Sequence, residues 1–419
     1  MTEHKNRDRK KWRNFLGIAG FLAVIGAAPA FTFTLKDREF SENENRYLAQ
    51  KPYISLERIK TGEFMRDMEE YVSDQLPLRD SLTTARTELL KAAGSREING
   101  VYLGKDGYLI EQWLEQDFDE ERLQNNIEAL NGFLEKHQDK KAFVMIVPTA
   151  AETMKDKLPP HAPSFCQEKA MAQIAKGLSS GTLIDLRQTL SAHREDGVFY
   201  KTDHHWTSRG AFQGYLKWCE ANGMYLPASQ FHPVQVSDSF QGSLDSRVLE
   251  AEGSRDSIEL FTREQEPSYT VSYNFGREIS DSVYAPENLK KKDQYQIFLN
   301  GNHPEVTIET SNKNGRRLLI VKDSFANALV PFLIGDCESI HLIDLRYYRG
   351  SLEDYISQRE INEFLILYNL KNFCGEKNLK FYYHLCFSGD SFSALFQNNQ
   401  ENGILTVSSL SCPWEGAGG

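Results

Sequence analysis

Apolar positions along this chain follow two periods in turn, and the alternation between them divides it. Phe64, Met68, Tyr71, Val72 and Leu76 recur at i, i+4, i+7, i+8 and i+12. That spacing predicts an amphipathic helix, and Pro77 stops it. A second helix carries Leu82, Leu89 and Leu90, and Val101 to Ile110 reads as a hairpin of two short strands around a Gly-containing turn. From about residue 118 helices and buried strands alternate. Leu123, Ile127, Leu130 and Leu134 mark a helix, and Ala142 to Val147 is a continuous apolar run ended by Pro148, as in a strand covered on both faces. Helix Lys169 to Leu178 and strand Thr182 to Leu186 repeat the unit. Thr207 or Ser208 then caps a helix using Phe212, Tyr215, Leu216 and Cys219.

Residues 225–312 change character. Ile258/Leu260, Tyr269/Val271/Tyr273, Tyr295/Ile297/Leu299 and Val306/Ile308 alternate with polar neighbours, and Asn300-Gly301 is a hairpin signal. This predicts a β-rich insertion. The earlier pattern resumes with strand Leu318 to Val321, helix Phe325 to Leu333, strand Ile340 to Leu345, helix Leu352 to Ile361 and strand Phe364 to Leu367. The expected class is α/β, a doubly wound parallel sheet spanning residues 118–373 with an insertion at about 225–312. Residues 36–117 read as a linker, helices and a hairpin packed on that core, and the tail 374–419 has no readable period and no assigned role.

The N-terminus sets the expected compartment. Lys5, Arg7, Arg9, Lys10, Lys11 and Arg13 precede a stretch free of charge, residues 14–35, long enough to cross a bilayer as a helix. Basic residues 1–13 ahead of it place that end in the cytoplasm and the body outside, as a single-pass membrane protein. Ala28-Pro29-Ala30 also resembles a signal-peptide cleavage site, which would make the body secreted. A formal charge of −11 excludes nucleic acid as the main partner. Six cysteines (166, 219, 337, 374, 386 and 412) lack metal-ligand spacing and read mostly as buried thiols.

Two short motifs carry the chemistry. Ser324 ends an apolar strand and opens a helix, so a developing oxyanion would meet its backbone N–H and the helix dipole. Alone, such a serine reads as an ordinary helix cap. Asp203-His204-His205-Trp206 adds the other two roles that acyl transfer needs: His205 as general base and Asp203 as its orienter, with His204 structural or the alternative base. The same Asp-His-His could suggest a metal. Adjacent residues seldom point at one ion and no carboxylate cluster accompanies them, so neither metal nor cofactor is expected. A phosphoesterase with this triplet would also carry N-terminal aspartate motifs and a glycine-rich C-terminal motif, which are missing.

Further motifs fall in a recognisable order: Glu44-Asn45-Arg46-x-Leu48, Glu70-Tyr71-x-x-Asp74-Gln75-x-Pro77-x-Arg79, Gly104-Lys105-Asp106-Gly107-Tyr108, Thr202-Asp203-His204-His205-Trp206-Thr207, Gly242-Ser243-Leu244, Asp323-Ser324 and Leu367-Tyr368-Asn369. With them the chain resembles the DHHW family, related to the AlgX/AlgJ-type alginate O-acetylation proteins of the SGNH-hydrolase superfamily. The resemblance implies a circularly permuted SGNH-like sheet with Asp203, His205 and Ser324 as catalytic triad. It implies an O-acetyltransferase or acetylesterase of a cell-surface or secreted polysaccharide, partnered by a membrane-bound O-acyltransferase. The alternative is a non-catalytic glycan-binding or scaffold subunit of the same complex. Arg346, Tyr368, Asn369, His204 and Trp206 are the expected substrate or oxyanion contacts.

Overall fold

The apolar runs at 318–321 and 364–367 have no polar face, so they are stable only where both faces are covered. In the computed structural model, which describes residues 12, 15, 32–224 and 228–379, both lie in the middle of an eight-stranded sheet. Its strands are β1 Lys141–Val147, β2 Thr182–Asp185, β3 Tyr269–Tyr273, β4 Glu278–Ser280, β5 Glu305–Thr310, β6 Arg317–Lys322, β7 Ser339–Ile343 and β8 Glu363–Asn369. They lie in the order β4-β3-β5-β7-β6-β8-β1-β2. From β7 to β2 all neighbours are parallel. From β4 to β7 all are antiparallel.

Successive side chains of the central strands enter opposite layers. Leu318, Ile320, Leu365 and Leu367 pack with helices Ser208–Ala221 and Ala326–Leu333. Leu319, Val321, Phe364 and Ile366 pack with helices Glu120–Lys136, Gln167–Gly177 and Leu352–Gln358. The result is an α/β fold with both faces of the sheet covered.

The sheet is mixed, where a purely parallel one was expected. The alternation at 269–273 and 305–310 does mark strands, but they extend the central sheet and do not form a separate insertion. Among the described residues of 228–312, only the pair Phe231–Phe240 and Asp256–Arg263 stands apart. Tyr295, Ile297 and Leu299 alternate without being a strand. Gln294–Ile297 is a 3₁₀ turn, and Leu299, Asn300 and Gly301 follow with φ of +57°, +51° and +92°. Consecutive left-handed residues cannot continue a strand. Their burial comes from a loop pressed into the core.

Ahead of the sheet lie helices Leu56–Thr61, Glu63–Asp74 and Arg79–Ala92, then a three-stranded sheet, where a two-stranded hairpin was expected. Leu82 and Leu89 are exposed, while Leu90 packs inward against the cluster of Ile98, Val101, Leu109, Leu244 and Val248. An arm precedes these helices, folded as a hairpin of Phe40–Ser41 against Arg46–Tyr47. Ion pairs from Arg46 to Asp74 (2.5 Å) and from Arg79 to Glu44 (2.6 Å) pin its turn.

Among the described residues no helix is long and apolar enough to cross a membrane. The transmembrane helix expected at 14–35 lies, except for residues 15 and 32–35, outside the described residues. So do most of the basic segment 1–13, Cys386, Cys412 and the tail from residue 380. Packing continues past Phe373, since helix Leu370–Gly375 receives the Asn126 amide on Phe373 O at 2.7 Å and Leu379 is buried. Cys219, Cys337 and Cys374 are buried free thiols, and Cys166 is an exposed one.

Candidate active site

Strand β6 ends at Lys322 and the chain turns at once into helix Ala326–Leu333, leaving Ser324 at the carboxyl edge of the sheet. The buried Asp323 carboxylate fixes this turn. It accepts from the backbone N–H of Phe325 (2.9 Å) and Asn369 (2.8 Å) and from Asn372 Nδ2 (2.7 Å). Burial raises the Asp323 pKa against those three donors.

The opposing loop is a tight one. Phe199 and Trp206 pair across it, and Asp256 accepts from Lys201 N–H, Thr202 N–H and Thr202 Oγ at 2.8, 2.8 and 2.6 Å. Trp206 donates its indole N–H to Phe325 O at 2.9 Å, which ties this loop to the serine turn. Thr207 caps the following helix through Gly210 N–H.

Between the two loops runs a continuous hydrogen-bonded line. Asp203 Oδ1 accepts from His205 Nδ1 at 2.6 Å, and His205 Nε2 lies 2.7 Å from Ser324 Oγ. With its proton on Nδ1, His205 accepts the Ser324 hydroxyl at Nε2. Asp203 Oδ1 also accepts His205 N–H (2.9 Å), and Oδ2 accepts Ser243 N–H (2.7 Å). Burial opposes the Asp203 charge, but the neighbouring imidazoles and these donors hold its carboxyl well below the usual range. Burial, aided by His204, pushes His205 down to about 4 against the pull of Asp203. At neutral pH the pair is thus a carboxylate and a neutral imidazole, the state a general base requires.

Tyr295, read from the sequence only as a strand residue, completes the positioning. Its ring stacks on the His205 imidazole (3.9 Å between centroids, 7° between planes), and its hydroxyl donates to Ser324 O at 3.1 Å. It comes from the 3₁₀ turn, and no motif in the sequence signals it.

These groups open into a cleft of about 270 Å³. Of the predicted contacts, His204 and Arg346 line it. His204 Nδ1 meets Ser243 Oγ at 2.7 Å, and Arg346 grips Asp344 through Nε (2.9 Å) and Nη2 (2.6 Å). Three predicted contacts do not line it. Trp206 is fully buried and structural. Tyr368 belongs to the core layer on the far face of the sheet, because the strand alternation that turns Leu367 toward the Ser208–Ala221 side turns Tyr368 away from it. Asn369 lies behind the serine turn and spends its amide on Val147 O and Pro148 O at 3.1 and 3.3 Å. Residues that the sequence reading left without a role do reach the cleft, among them Asn45 of the arm, Gly242, Asp293, Asn302 and Asn327.

Asp203, His204 and His205 bring ligand-type atoms within 4.8 Å of one another. Both nitrogens of His205 are already engaged by Asp203 and Ser324, which is the arrangement of a proton relay.

Comparison with known proteins agrees with this architecture. Residues 101–253 match the family described as the SGNH hydrolase-like domain of acetyltransferase AlgX. A DHHW family protein from Eubacterium siraeum is 26% identical, with a TM-score of 0.58 over 67% of this chain and 94% of that one. Bacillus cereus PatB1, solved with a sulfonyl adduct, is 22% identical, with a TM-score of 0.57 over 67% of this chain and 97% of its own, a likeness of fold. No curated protein matches the sequence. The fold is SGNH-hydrolase-like, with a mixed parallel and antiparallel sheet.

Proposed function

We propose that this protein is a serine-dependent O-acetyltransferase or acetylesterase that modifies a polysaccharide outside the cytoplasm. One observation carries the reading: the line from Asp203 through His205 to Ser324, with both links at hydrogen-bond length. Ser324 Oγ attacks the acetyl carbonyl while His205 Nε2 takes its proton, and Asp203 stabilises the imidazolium that forms. The Ser324 backbone N–H, ahead of the Ala326–Leu333 helix, faces the developing oxyanion. A sugar hydroxyl or water then releases the acetyl group.

The basic-then-apolar N-terminus supports placing the body outside the membrane, with residues 14–35 as its anchor or signal segment. Acetyl groups would then come from a membrane-bound O-acyltransferase. The test is turnover of an aryl acetate by the full chain beside Ser324→Ala. The proposal expects the variant to fall to background. Equal rates in both would end the acyl-enzyme reading and favour a glycan-binding or scaffold subunit.

A further inference from the structure

Resting on that acyl-transfer reading, we propose that the acceptor is an uncharged glycan, held by a rim of carboxamides that includes Asn45 of the N-terminal arm. Both Lys292 and Arg346, which line the cleft, are closed by a buried carboxylate. Lys292 Nζ sits 2.6 Å from the buried Asp245, and Arg346 is bound through two nitrogens to the buried Asp344. The buried Lys322 spends its ammonium on Asn327 Oδ1 (2.7 Å) and Asn302 Oδ1 (3.3 Å), with Asp344 at 3.9 Å.

Asp293, by contrast, lines the cleft and forms no ion pair among the described residues. Its carboxylate accepts only from amides, Gln296 Nε2 at 2.9 Å and Asn45 Nδ2 at a long 3.5 Å. No guanidinium or ammonium is therefore left over to meet a uronate or phosphate, and an anionic chain would approach an uncompensated carboxylate.

The lining also carries neutral amides, Asn45, Gln241, Gln296 and Asn302, and those of Asn45 and Gln296 that donate to Asp293 keep their carbonyl oxygens facing no cation. A carboxamide both donates and accepts, as a sugar hydroxyl does. The amide of Asn302 has a defined direction. An ammonium only donates, so Lys322 holds Oδ1, and the Asn302 NH₂ must point away from it. Asn45 stands at the tip of the arm hairpin with φ +50°. The tip is held firmly: Arg46 makes 2.5 and 2.8 Å bonds to the buried Asp74, which also accepts Ala49 N–H at 2.8 Å, and Arg79 holds Glu44 at 2.6 Å. A recognition group needs such support from a rigid frame.

The transfer step balances on this geometry. The donor's acyl C–O bond breaks as the Ser324 ester forms, and its oxygen leaves with the proton His205 took. The sugar hydroxyl on the rim then attacks the ester carbonyl and gives its proton to His205. The Ser324–acyl bond breaks, and that proton returns to Oγ.

The experiment uses the full chain with 4-nitrophenyl acetate as donor and two acceptor sets of equal length. One set is neutral (glucan, mannan, xylan and N-acetylglucosamine oligomers), and the other is oligouronates. We expect acetylated product from at least one neutral series, with kcat/KM at least about tenfold above any oligouronate. Asn45→Ala should raise the KM for that acceptor about fivefold, the loss of one neutral hydrogen bond, with kcat affected less. An oligouronate used equally well, no neutral series acetylated while Ser324 still turns the donor over, or an unchanged KM in a folded Asn45→Ala variant would each overturn the inference. Donor turnover that survives Ser324→Ala would instead remove the underlying acyl-enzyme reading.

Discussion

Gly242→Ala should disable the site without touching any reacting atom. The φ of Gly242 is −86°, open to any residue, so the demand here is for space. A Cβ at this position would lie 2.3 Å from Asp203 Cβ, 2.4 Å from Oδ2 and 2.7 Å from Cγ. Non-bonded carbons rest at about 3.5–4.0 Å, so one side must retreat by about 1 Å. Neither side is free to do so. The Asp203 carboxylate is held by His205 N–H, His205 Nδ1 and Ser243 N–H, while Gly242 N–H is bound to Thr202 Oγ1 at 3.0 Å. A displacement of about 1 Å in a catalytic group costs roughly hundredfold in rate, or about 2.7 kcal/mol of transition-state stabilisation. Stretching the Ser243 bond to a carboxylate costs about 1.5–3 kcal/mol of stability as well. The assay is kcat/KM for an aryl acetate, with thermal unfolding followed in parallel. Gly132→Ala is the control, because a Cβ there meets nothing within 4 Å and the residue lies within helix Glu120–Lys136. That variant should gain up to about 1 kcal/mol and keep its rate. A Gly242→Ala variant within threefold of wild type would refute the claim that this close approach sets the position of Asp203.

Three further outcomes follow from the same geometry. Activity needs His205 neutral, and its pKa is pushed down to about 4, so kcat/KM should stay level as pH falls from neutrality and halve only near that value. A half-point near 6.5 would show that the imidazole is not held as described. Tyr295→Phe keeps the stacked ring but removes the bond to Ser324 O, which also accepts Asn327 N–H at 3.2 Å. The cost is about 1 kcal/mol, roughly fivefold in kcat/KM, whereas Tyr295→Ala also loses the ring against His205 and should fall much further; equal rates in the two variants would remove the stacking role. Trp206→Phe leaves the buried Phe325 carbonyl without its indole donor and should lower stability by about 1–3 kcal/mol, read by urea unfolding, with no change refuting the tie between the two loops.

The parallel half of the sheet was legible because its strands are buried on both faces and so are written as unbroken apolar runs, as at 142–147, 318–321 and 364–367. The residues of the proposed triad were legible for a related reason. Ser324 is where such a run stops at a helix start, and Asp203-x-His205 is a local pair whose two members bond each other at 2.6 Å. The antiparallel extension was harder. Period-two alternation records which residues are buried, and a looped segment pressed into the core buries alternate residues as a strand does. At 295–299 the 3₁₀ turn and the left-handed backbone from Leu299 onward separate the two cases, and in the sequence a single Asn-Gly pair hints at them. Strand phase accounts for the contact misplaced at Tyr368. A residue near a strand end was expected in the cleft, yet Tyr368 is one position out of phase with Leu367 and faces the other layer. Phase was readable from the run itself, since Leu365 and Leu367 share the layer of the Ser208–Ala221 helix. Tyr295, Asp293 and Asn45 were not readable in this way. They reach the cleft from a 3₁₀ turn, the loop before it, and an arm more than 150 residues ahead of the histidine. Local pattern thus disclosed Asp203, His205 and Ser324, the groups of the proposed reaction, which sit at strand and loop junctions with their own signatures. The residues that position those groups and line the cleft depend on long-range closure of the chain, which leaves no period to read.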